Sequence, residues 1–187
     1  MKAIIITILA ISLTQGSFAQ NGLNIGDRVP GFEATADNGS VWNLSDHLGK
    51  EYLVVYFYPA AMTGGCTAQA CNYRDMSSDL KKLNAMIVGV SGDNPEGLKF
   101  FKEAHNLNFT LLSDESGKIA GIFGVPTREG GVVKNEFNGK AFELERGVTT
   151  SRWTFILDKK GKVVYKNEQV KAKEDTADVL NFLKSKS

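Results

Sequence analysis

The run YLVVYFY, residues 52–58, restricts the fold of this 187-residue chain more than any other stretch of its sequence. Each of its residues is apolar or aromatic, and Pro59 ends it. A strand without polar alternation is typical of a parallel sheet that helices cover on both faces. A second run of this kind, Ala85–Ser91, follows a stretch of helical composition over residues 67–83. These runs predict a strand–helix–strand unit with parallel strands.

The other elements are predicted from turn and capping signals. Phe32–Asp37 and Ser40–Leu44 flank Asn38-Gly39, which predicts a β-hairpin. Asn94 and Pro95 have the residue types of an N-cap and of a first helical position. In chain order, the remaining predictions are a strand at 109–112, a short helix at 117–123, a loose loop with one or two irregular strands at 127–150, a hairpin of 152–157 with 163–166, and a helix at 173–183. We therefore predict a mixed α/β sandwich of the thioredoxin type, with a central mixed β-sheet and helices on both faces.

The N-terminal residues have the composition of a secretory signal. Lys2 precedes the apolar run Ala3–Leu13, and small residues up to Ala19 form a cleavage-type sequence. The apolar run is well short of the roughly 20 residues that span a bilayer. We therefore expect residues 1–19 to be removed and residues 20–187 to form one domain, exported to the periplasm or secreted.

The charge balance restricts the classes of partner. The sequence has 22 basic and 21 acidic residues, and Lys2 is lost if the signal is cleaved. The mature chain would then carry no net charge, which argues against a nucleic-acid surface. We also expect no stable membrane association once the signal has been removed.

Both cysteines lie in one stretch, YPAAMTGGCTAQAC, at positions 66 and 71. Outside the cytoplasm such a pair is either a structural disulfide or a redox couple, because disulfides persist there. On an intact helix, residues five apart have Cα atoms roughly 8.7 Å apart, whereas a disulfide requires roughly 4.4–6.8 Å. Cys66 and Cys71 could therefore bond only after the helix unwinds, which suits a redox relay better than a permanent link.

Other uses of the two cysteines are less well supported. Their spacing is neither the C-x-x-C of disulfide exchangers nor the C-x2-C of a zinc site. His47 and His105 are scattered, and each is expected to be an ordinary surface or helix residue.

The position of Cys66 favours a thiolate. It falls in the first turn of a predicted helix, where unpaired N–H groups and the positive end of the helix dipole stabilise an anion. Gly64 and Gly65 have no side chains, so a small substrate can approach the backbone. The Thr63 hydroxyl can both donate and accept a hydrogen bond, which suits a peroxide. The glycines and Thr63 are equally compatible with an ordinary turn.

The segment YFYPAAMTGGCTAQACNYRD resembles the active-site segment of peroxiredoxins, whose signature is P-x-x-x-T-x-x-C. The second cysteine, five residues after the first, resembles the peroxiredoxin Q, or bacterioferritin comigratory protein (BCP), subgroup. The segments VSGDNPEGLKFFKEAHNLNFTLLSDESGKIAGIFGV and SRWTFILDKKGKVV are similar to the middle and to the arginine-bearing part of that subgroup. The resemblance extends over residues 26–164 and implies the same thioredoxin-like fold.

The resemblance implies a role for each residue of the signature. Cys66 is the peroxidatic nucleophile, Thr63 holds the peroxide, and Pro59 shields the pocket from water. Arg152 keeps the thiolate ionised and polarises the peroxide, and Cys71 is the resolving cysteine. The implied activity is reduction of hydrogen peroxide and organic hydroperoxides through a sulfenic acid and an intramolecular Cys66–Cys71 disulfide. A thioredoxin-type protein would reduce this disulfide, no cofactor would be needed, and a monomer would suffice because both cysteines belong to one chain.

Two features depart from the subgroup. It usually has Thr-Pro-Gly-Cys, and Gly64 replaces the proline here, which makes the loop before Cys66 less ordered. Residues 127–150 also form a longer stretch than usual.

Three further arginines compete as partners of the thiolate: Arg74, Arg128 and Arg146. Two other functions stay open at this point, an exported thiol–disulfide exchanger and a binding module with a structural disulfide.

Overall fold

The computed structural model describes residues 22–186, which form both strands and helices. The predicted signal, residues 1–19, lies outside the described residues. The strands are β1 Glu33–Ala36, β2 Val41–Asn43, β3 Tyr52–Phe57, β4 Ala85–Ser91, β5 Thr110–Ser113, β6 Thr127–Phe137, β7 Lys140–Thr150, β8 Thr154–Leu157 and β9 Val163–Asn167. The helices are α1 Gly64–Asp75, α2 Ser77–Lys82, α3 Pro95–His105, α4 Lys118–Phe123 and α5 Asp175–Lys184, with a 3-10 turn at Leu44–His47. Within residues 22–186, none of these helices has the length and apolar character needed to cross a membrane.

Seven strands of the described part of the chain form one mixed sheet, in the order β2-β1-β5-β4-β3-β8-β9. Strand β4 runs parallel to β3 and to β5, whereas β8 pairs with β3 in the antiparallel direction. Helices α1 and α2 connect the parallel strands β3 and β4. The predicted strand–helix–strand unit and the mixed sheet are therefore confirmed.

Strand β3 has no polar side because it is buried on both faces. Val54 and Tyr56 pack into one hydrophobic cluster with residues of α1, α3 and α5. Val55 and Phe57 pack into the cluster on the other face, with residues of α4, β1 and β2. Burial of one aliphatic or phenylalanine side chain stabilises a fold by about 1.5–3 kcal/mol. Strand β3 therefore links the two cores and supports the segment that follows it.

Two helices occupy the stretch in which the sequence predicted one helix, residues 67–83. Helix α1 ends and α2 begins around Met76, which is 44% exposed. The Ser77 hydroxyl donates to the carbonyl oxygen of Arg74 at 2.7 Å. A side-chain bond of this kind competes with the regular backbone pattern of a helix, which accounts for the interruption.

The stretch expected to be a loose loop, residues 127–150, is a regular β-hairpin. Strands β6 and β7 have 11 residues each and pair in the antiparallel direction. They are joined at Asn138 and Gly139, whose φ angles of 51° and 76° are those of a type I′ turn. The expectation of a loose loop with one or two irregular strands is therefore wrong. The hairpin forms a sheet of its own, and most of its side chains are exposed. Its strands therefore lack the apolar runs that identify β3 and β4.

A buried ion pair fastens the hairpin to the rest of the protein. Arg146 Nε donates to Asp93 Oδ1 at 3.1 Å, and the Asp93 side chain is fully buried. Asp93 Oδ2 accepts from the amide of Ala61 at 2.8 Å, in the loop that leads to α1. The Thr150 hydroxyl donates to the carbonyl oxygen of Tyr58, in the same segment, at 2.9 Å. The base of the hairpin therefore holds the segment between β3 and α1 in place.

We expect Arg146→Met to lower the free energy of unfolding by about 3–5 kcal/mol, because it leaves the buried Asp93 carboxylate without its ionic partner. The matched control is Lys134→Met, which removes the partner of the exposed Glu143 in the same hairpin. We expect the control to be nearly neutral, because exposed ion pairs add little stability. Urea unfolding followed by circular dichroism measures both changes. Equal losses in the two variants would contradict a structural role for the buried pair.

Candidate active site

Cys66 lies just beyond strand β3, in the first turn of helix α1. Thr63 is the N-cap residue, Gly64 and Gly65 are the first two helical residues, and Cys66 is the third. The first backbone bond of the helix joins the amide of Thr67 to the carbonyl oxygen of Thr63 at 2.8 Å. The Cys66 side chain is 1% exposed. The predicted position of Cys66 is confirmed, and a buried sulfur lies beside amides that have no preceding helical carbonyl.

The segment between β7 and β8 brings Arg152 to this helix start. Strand β8 pairs with β3, and the amide of Phe57 donates to the carbonyl oxygen of Trp153 at 2.8 Å. This pairing places the residues before β8 at the end of β3. Arg152 Nη2 donates to Cys66 Sγ at 3.2 Å. A guanidinium charge beside a cysteine sulfur favours the thiolate form over the thiol.

The three competing arginines have other surroundings. Arg74 pairs with Asp75 at 2.8 Å and interacts with Cys71, Arg146 pairs with the buried Asp93, and Arg128 is exposed in β6. Of the four arginines considered from the sequence, the structure places Arg152 beside Cys66.

The loop between β3 and α1 has a constrained backbone. Met62 has a φ of 60°, a left-handed conformation that costs a residue with a side chain about 1–3 kcal/mol. The Thr63 hydroxyl donates to the carbonyl oxygen of Ala60 at 2.9 Å, and its oxygen can still accept a hydrogen bond. Thr63 is exposed and Pro59 is half-buried, so the two residues lie at the boundary between the core and solvent. Sequence reasoning missed Met62 because its residue type gives no sign of a left-handed backbone.

The two glycines before Cys66 differ in their surroundings. A Cβ atom at Gly65 would lie 3.5 Å from Arg152 Nη2 and 4.0 Å from the side chain of Ala172. A Cβ atom at Gly64 would have no atom of the described residues within 4 Å. Gly65 therefore keeps space beside the guanidinium, whereas position 64 has room for a larger residue such as the usual proline.

Arg152 is held by a buried network that sequence reasoning missed. Its Nη1 atom donates to Gln69 Oε1, and Gln69 Nε2 donates to Asp175 Oδ2 at 2.6 Å. The same carboxylate oxygen accepts from the hydroxyls of Tyr73 at 2.7 Å and Thr154 at 2.9 Å. Gln69, Tyr73, Thr154 and Asp175 are all fully buried. Burial raises the pKa of the Asp175 carboxyl, and the three hydrogen bonds that it accepts oppose this rise.

A helical pattern was the signal available for part of this network. Gln69 and Tyr73 follow Cys66 by three and seven residues, which places all three on one face of α1. A polar glutamine on the helix face that carries a candidate nucleophile indicates that its side chain has a specific hydrogen-bond partner. Asp175 lies 106 residues from Gln69 in the chain, so no local pattern could have paired the two.

Three buried tyrosines share the hydrophobic cluster that contains Cys66. The ring of Tyr56 stacks on those of Tyr58 and Tyr73, with centroids 5.5 Å and 4.8 Å apart. Burial raises the pKa of all three phenols well above its ordinary value, so these side chains stay neutral. In these water-poor surroundings the hydrogen bond from Arg152 to Cys66 is stronger than it would be in water.

Cys71 lies on the same helix as Cys66, five residues later, and is half-buried. Both cysteines are free, as expected while the helix is intact. A permanent structural disulfide is therefore not favoured.

The two histidines contact aromatic rings. His47 stacks on Trp42 with ring centroids 4.5 Å apart, and His105 packs edge-on against Phe101 at 5.4 Å. Burial lowers the pKa of both imidazoles. Within residues 22–186, no group of three or more His, Cys, Asp or Glu side chains is arranged to hold a metal ion.

Known proteins match both the sequence and the structure. The sequence profile of the AhpC/TSA family matches residues 25–166. The chain is 39% identical over 165 residues to peroxiredoxin Bcp of Bacillus subtilis (strain 168), which covers 88% of this chain and 98% of that protein. It is 37% identical over 182 residues to the chloroplastic peroxiredoxin Q of Populus jackii, covering 94% of this chain and 77% of that protein.

A solved structure confirms the fold. The crystal structure of peroxidoxin BcpB from Mycobacterium tuberculosis superposes with a TM-score of 0.73 at 31% identity, covering 87% of this chain and 97% of that chain. The thioredoxin-like architecture predicted from the sequence is therefore correct. The chain belongs to the AhpC/TSA family and, within it, to the peroxiredoxins of the Bcp/peroxiredoxin Q type.

Proposed function

We propose that this thiol peroxidase reduces hydrogen peroxide and organic hydroperoxides with Cys66 as the peroxidatic nucleophile. The observation that carries the proposal is the 3.2 Å contact from Arg152 Nη2 to Cys66 Sγ at the start of a helix. A guanidinium and a helix N-terminus both stabilise a thiolate, and the thiolate is the reactive form of cysteine.

In the first step the Cys66 thiolate attacks the terminal oxygen of the peroxide. The S–O bond forms as the O–O bond breaks, and the sulfur is oxidised by two electrons to a sulfenic acid. The leaving oxygen takes up a proton and departs as water or as an alcohol. Arg152 donates hydrogen bonds to the reacting oxygens, where negative charge develops in the transition state.

The surrounding loop orients the peroxide. The Thr63 hydroxyl, which donates to the carbonyl oxygen of Ala60, accepts a hydrogen bond from the peroxide. Gly64 and Gly65 let it approach the first amides of α1, and Pro59 limits the access of water. The left-handed backbone at Met62 helps to set the position of Thr63.

In the second step Cys71 attacks the sulfenic sulfur. The S–S bond forms, the S–O bond breaks, and the hydroxyl group leaves as water. Because α1 holds the two cysteines apart, the helix has to open between them first. A dithiol protein of the thioredoxin type then reduces the disulfide through a mixed disulfide and restores both thiols. The sulfur atoms supply the redox chemistry, so this cycle needs no cofactor.

We expect stoichiometric hydrogen peroxide to remove two hydrogen atoms from the mass of the parent protein, because one disulfide forms within the chain. Cys71→Ser should instead gain one oxygen atom on Cys66 and turn over once, since no second thiol in the chain can resolve the sulfenic acid. Mass spectrometry after alkylation of free thiols distinguishes the two products, and a thioredoxin-coupled assay measures recycling. If Cys71→Ser recycled at the parental rate, Cys71 would not be the resolving cysteine.

We also propose that the mature protein is an exported monomer without stable membrane association. The composition of residues 1–19 and the location of both cysteines in one chain support this proposal. The intact mass of protein recovered from the periplasmic and culture fractions tests export, and sedimentation tests the monomer. Protein that retained its first 19 residues in the cytoplasmic fraction would contradict export.

A further inference from the structure

We propose that Asp175 is a positioning residue for the oxidation of Cys66 and also a latch on the helix that carries both cysteines. The inference rests on the proposed roles of Cys66 and Cys71. Asp175 acts through Gln69, whose side chain bridges the carboxylate to Arg152.

The carboxylate determines which way the Gln69 amide faces. A glutamine side chain presents an oxygen on one side and an NH2 group on the other. Asp175 Oδ2 accepts from the NH2 group at 2.6 Å, so the oxygen of Gln69 faces Arg152 Nη1. A guanidinium offers only donors, and a reversed amide would turn NH2 against it. In the observed orientation Arg152 Nη1 donates to Gln69, and Arg152 Nη2 donates to Cys66 Sγ at 3.2 Å.

The hydrogen bonds of Asp175 join three elements of the fold: its own helix α5, helix α1 and strand β8. It is the first residue of α5, and it accepts from Tyr73 of α1 and Thr154 of β8 as well as from Gln69. All of these side chains are fully buried. A buried donor that loses its acceptor costs more than the net value of one hydrogen bond, so the network favours a single arrangement.

The same contacts oppose the opening of α1. Gln69 lies between the two cysteines, so the unwinding that brings Cys71 to Cys66 carries Gln69 away from Asp175. A hydrogen bond to a carboxylate is stronger than one between neutral groups. Asp175 therefore accelerates the step that uses the intact helix and slows the step that needs the helix opened. Simple loss of stability would not slow the first of these steps while accelerating the second.

The decisive measurement follows the two steps separately in Asp175→Asn. Oxidation of Cys66 by hydrogen peroxide is timed in the Cys71→Ser background, and disulfide closure is timed with Cys71 present, both by rapid quench and mass spectrometry. We expect oxidation to be about tenfold slower and closure about threefold to tenfold faster, because a neutral amide holds Gln69 more weakly. Gln69→Met should slow oxidation at least as much. Adding Asp175→Asn to Gln69→Met should change that rate by less than about twofold, since Asp175 acts through Gln69.

The matched control is Asp114→Asn. Asp114 is also a buried carboxylate, but it accepts from the amides of Ile119 and Ala120 in α4, on the other face of the sheet. We expect it to lower stability and to leave both rates within about twofold of the parent. If Asp175→Asn does not fold, Thr154→Val provides the test, because it removes one donor to Asp175 and should shift both rates in the same directions.

The possible outcomes separate this inference from the proposed function. Parental rates in Asp175→Asn, equal changes in Asp114→Asn, or a double variant that multiplies the two single effects would overturn the role of Asp175. A parent protein that forms neither a sulfenic acid on Cys66 nor a bond to Cys71 would instead overturn the proposed function. Slower oxidation with faster closure, confined to the Asp175 and Gln69 network, supports the latch.

Discussion

Cys66→Ser is expected to lower peroxide consumption to the rate of the uncatalysed reaction, even with a thioredoxin-type reductant in excess. A serine hydroxyl is a weak nucleophile without an adjacent base to take its proton. Its oxygen also cannot form the sulfenic acid on which the cycle depends. The rate of peroxide loss in a coupled assay, compared with a blank without protein, measures the effect.

The matched control for this variant is Cys71→Ser, in which peroxide should still oxidise Cys66 once. Cys66 is 1% exposed, and Arg152 can donate to a hydroxyl at this position as it does to the sulfur. The fold of Cys66→Ser is therefore expected to persist, which circular dichroism checks. Peroxide turnover by Cys66→Ser above the blank would show that this sulfur is not the reacting atom.

Arg152→Met should lower the second-order rate constant for peroxide by roughly 10²–10³-fold, the usual loss when one preorganised donor to a transition state is removed. The variant also takes away the positive charge beside the sulfur. Arg152→Lys restores the charge, but one ammonium cannot reproduce the fork that spans Gln69 and Cys66. We expect its rate constant to lie between those of the parent and Arg152→Met. Stopped-flow fluorescence, with Trp153 as the neighbour of Arg152 in the chain, is suited to the measurement.

Arg128→Met is the control for this series, because Arg128 is exposed in strand β6 of the hairpin. It removes the same charge and should leave the rate constant unchanged. Ultraviolet absorbance of the thiolate provides a second readout, which should fall in Arg152→Met and persist in Arg128→Met. Equal losses in the two variants would mean that overall charge, rather than the Arg152 contact, controls the reaction.

Local signals in the sequence predicted the elements that frame the site. Strand β4 has the predicted bounds, and α3 begins at Pro95, with Asn94 Oδ1 accepting from the amide of Gly97 at 2.8 Å. Buried strands and helix caps depend on near neighbours in the chain, so residue types reveal them. The start of α1 before Cys66 was likewise predicted from neighbouring residue types. The meeting of Cys66 with Arg152 is different, because only the family resemblance related two residues so far apart.

Contacts between distant residues escaped the sequence reasoning. The hairpin at 127–150 is ordered by Arg146 and Thr150 binding to segments far away in the chain, and its own residues look like a loop. In the sequence, Asp175 cannot be told from an ordinary acidic residue at the start of a helix. Such residues are common there because the helix dipole favours a negative charge at its N-terminus. The contact of Asp175 with Gln69 exists only because the sheet brings α1 and α5 together.

The network around Asp175 also has a consequence for biosynthesis. Gln69 is synthesised first, and its acceptor Asp175 follows 106 residues later. During translation Cys66 thus exists well before Asp175, which orients the Arg152 guanidinium through Gln69. The arrangement makes the orientation of Arg152 depend on the synthesis of α5, so fragments that end before α5 contain Cys66 without the carboxylate that positions Gln69.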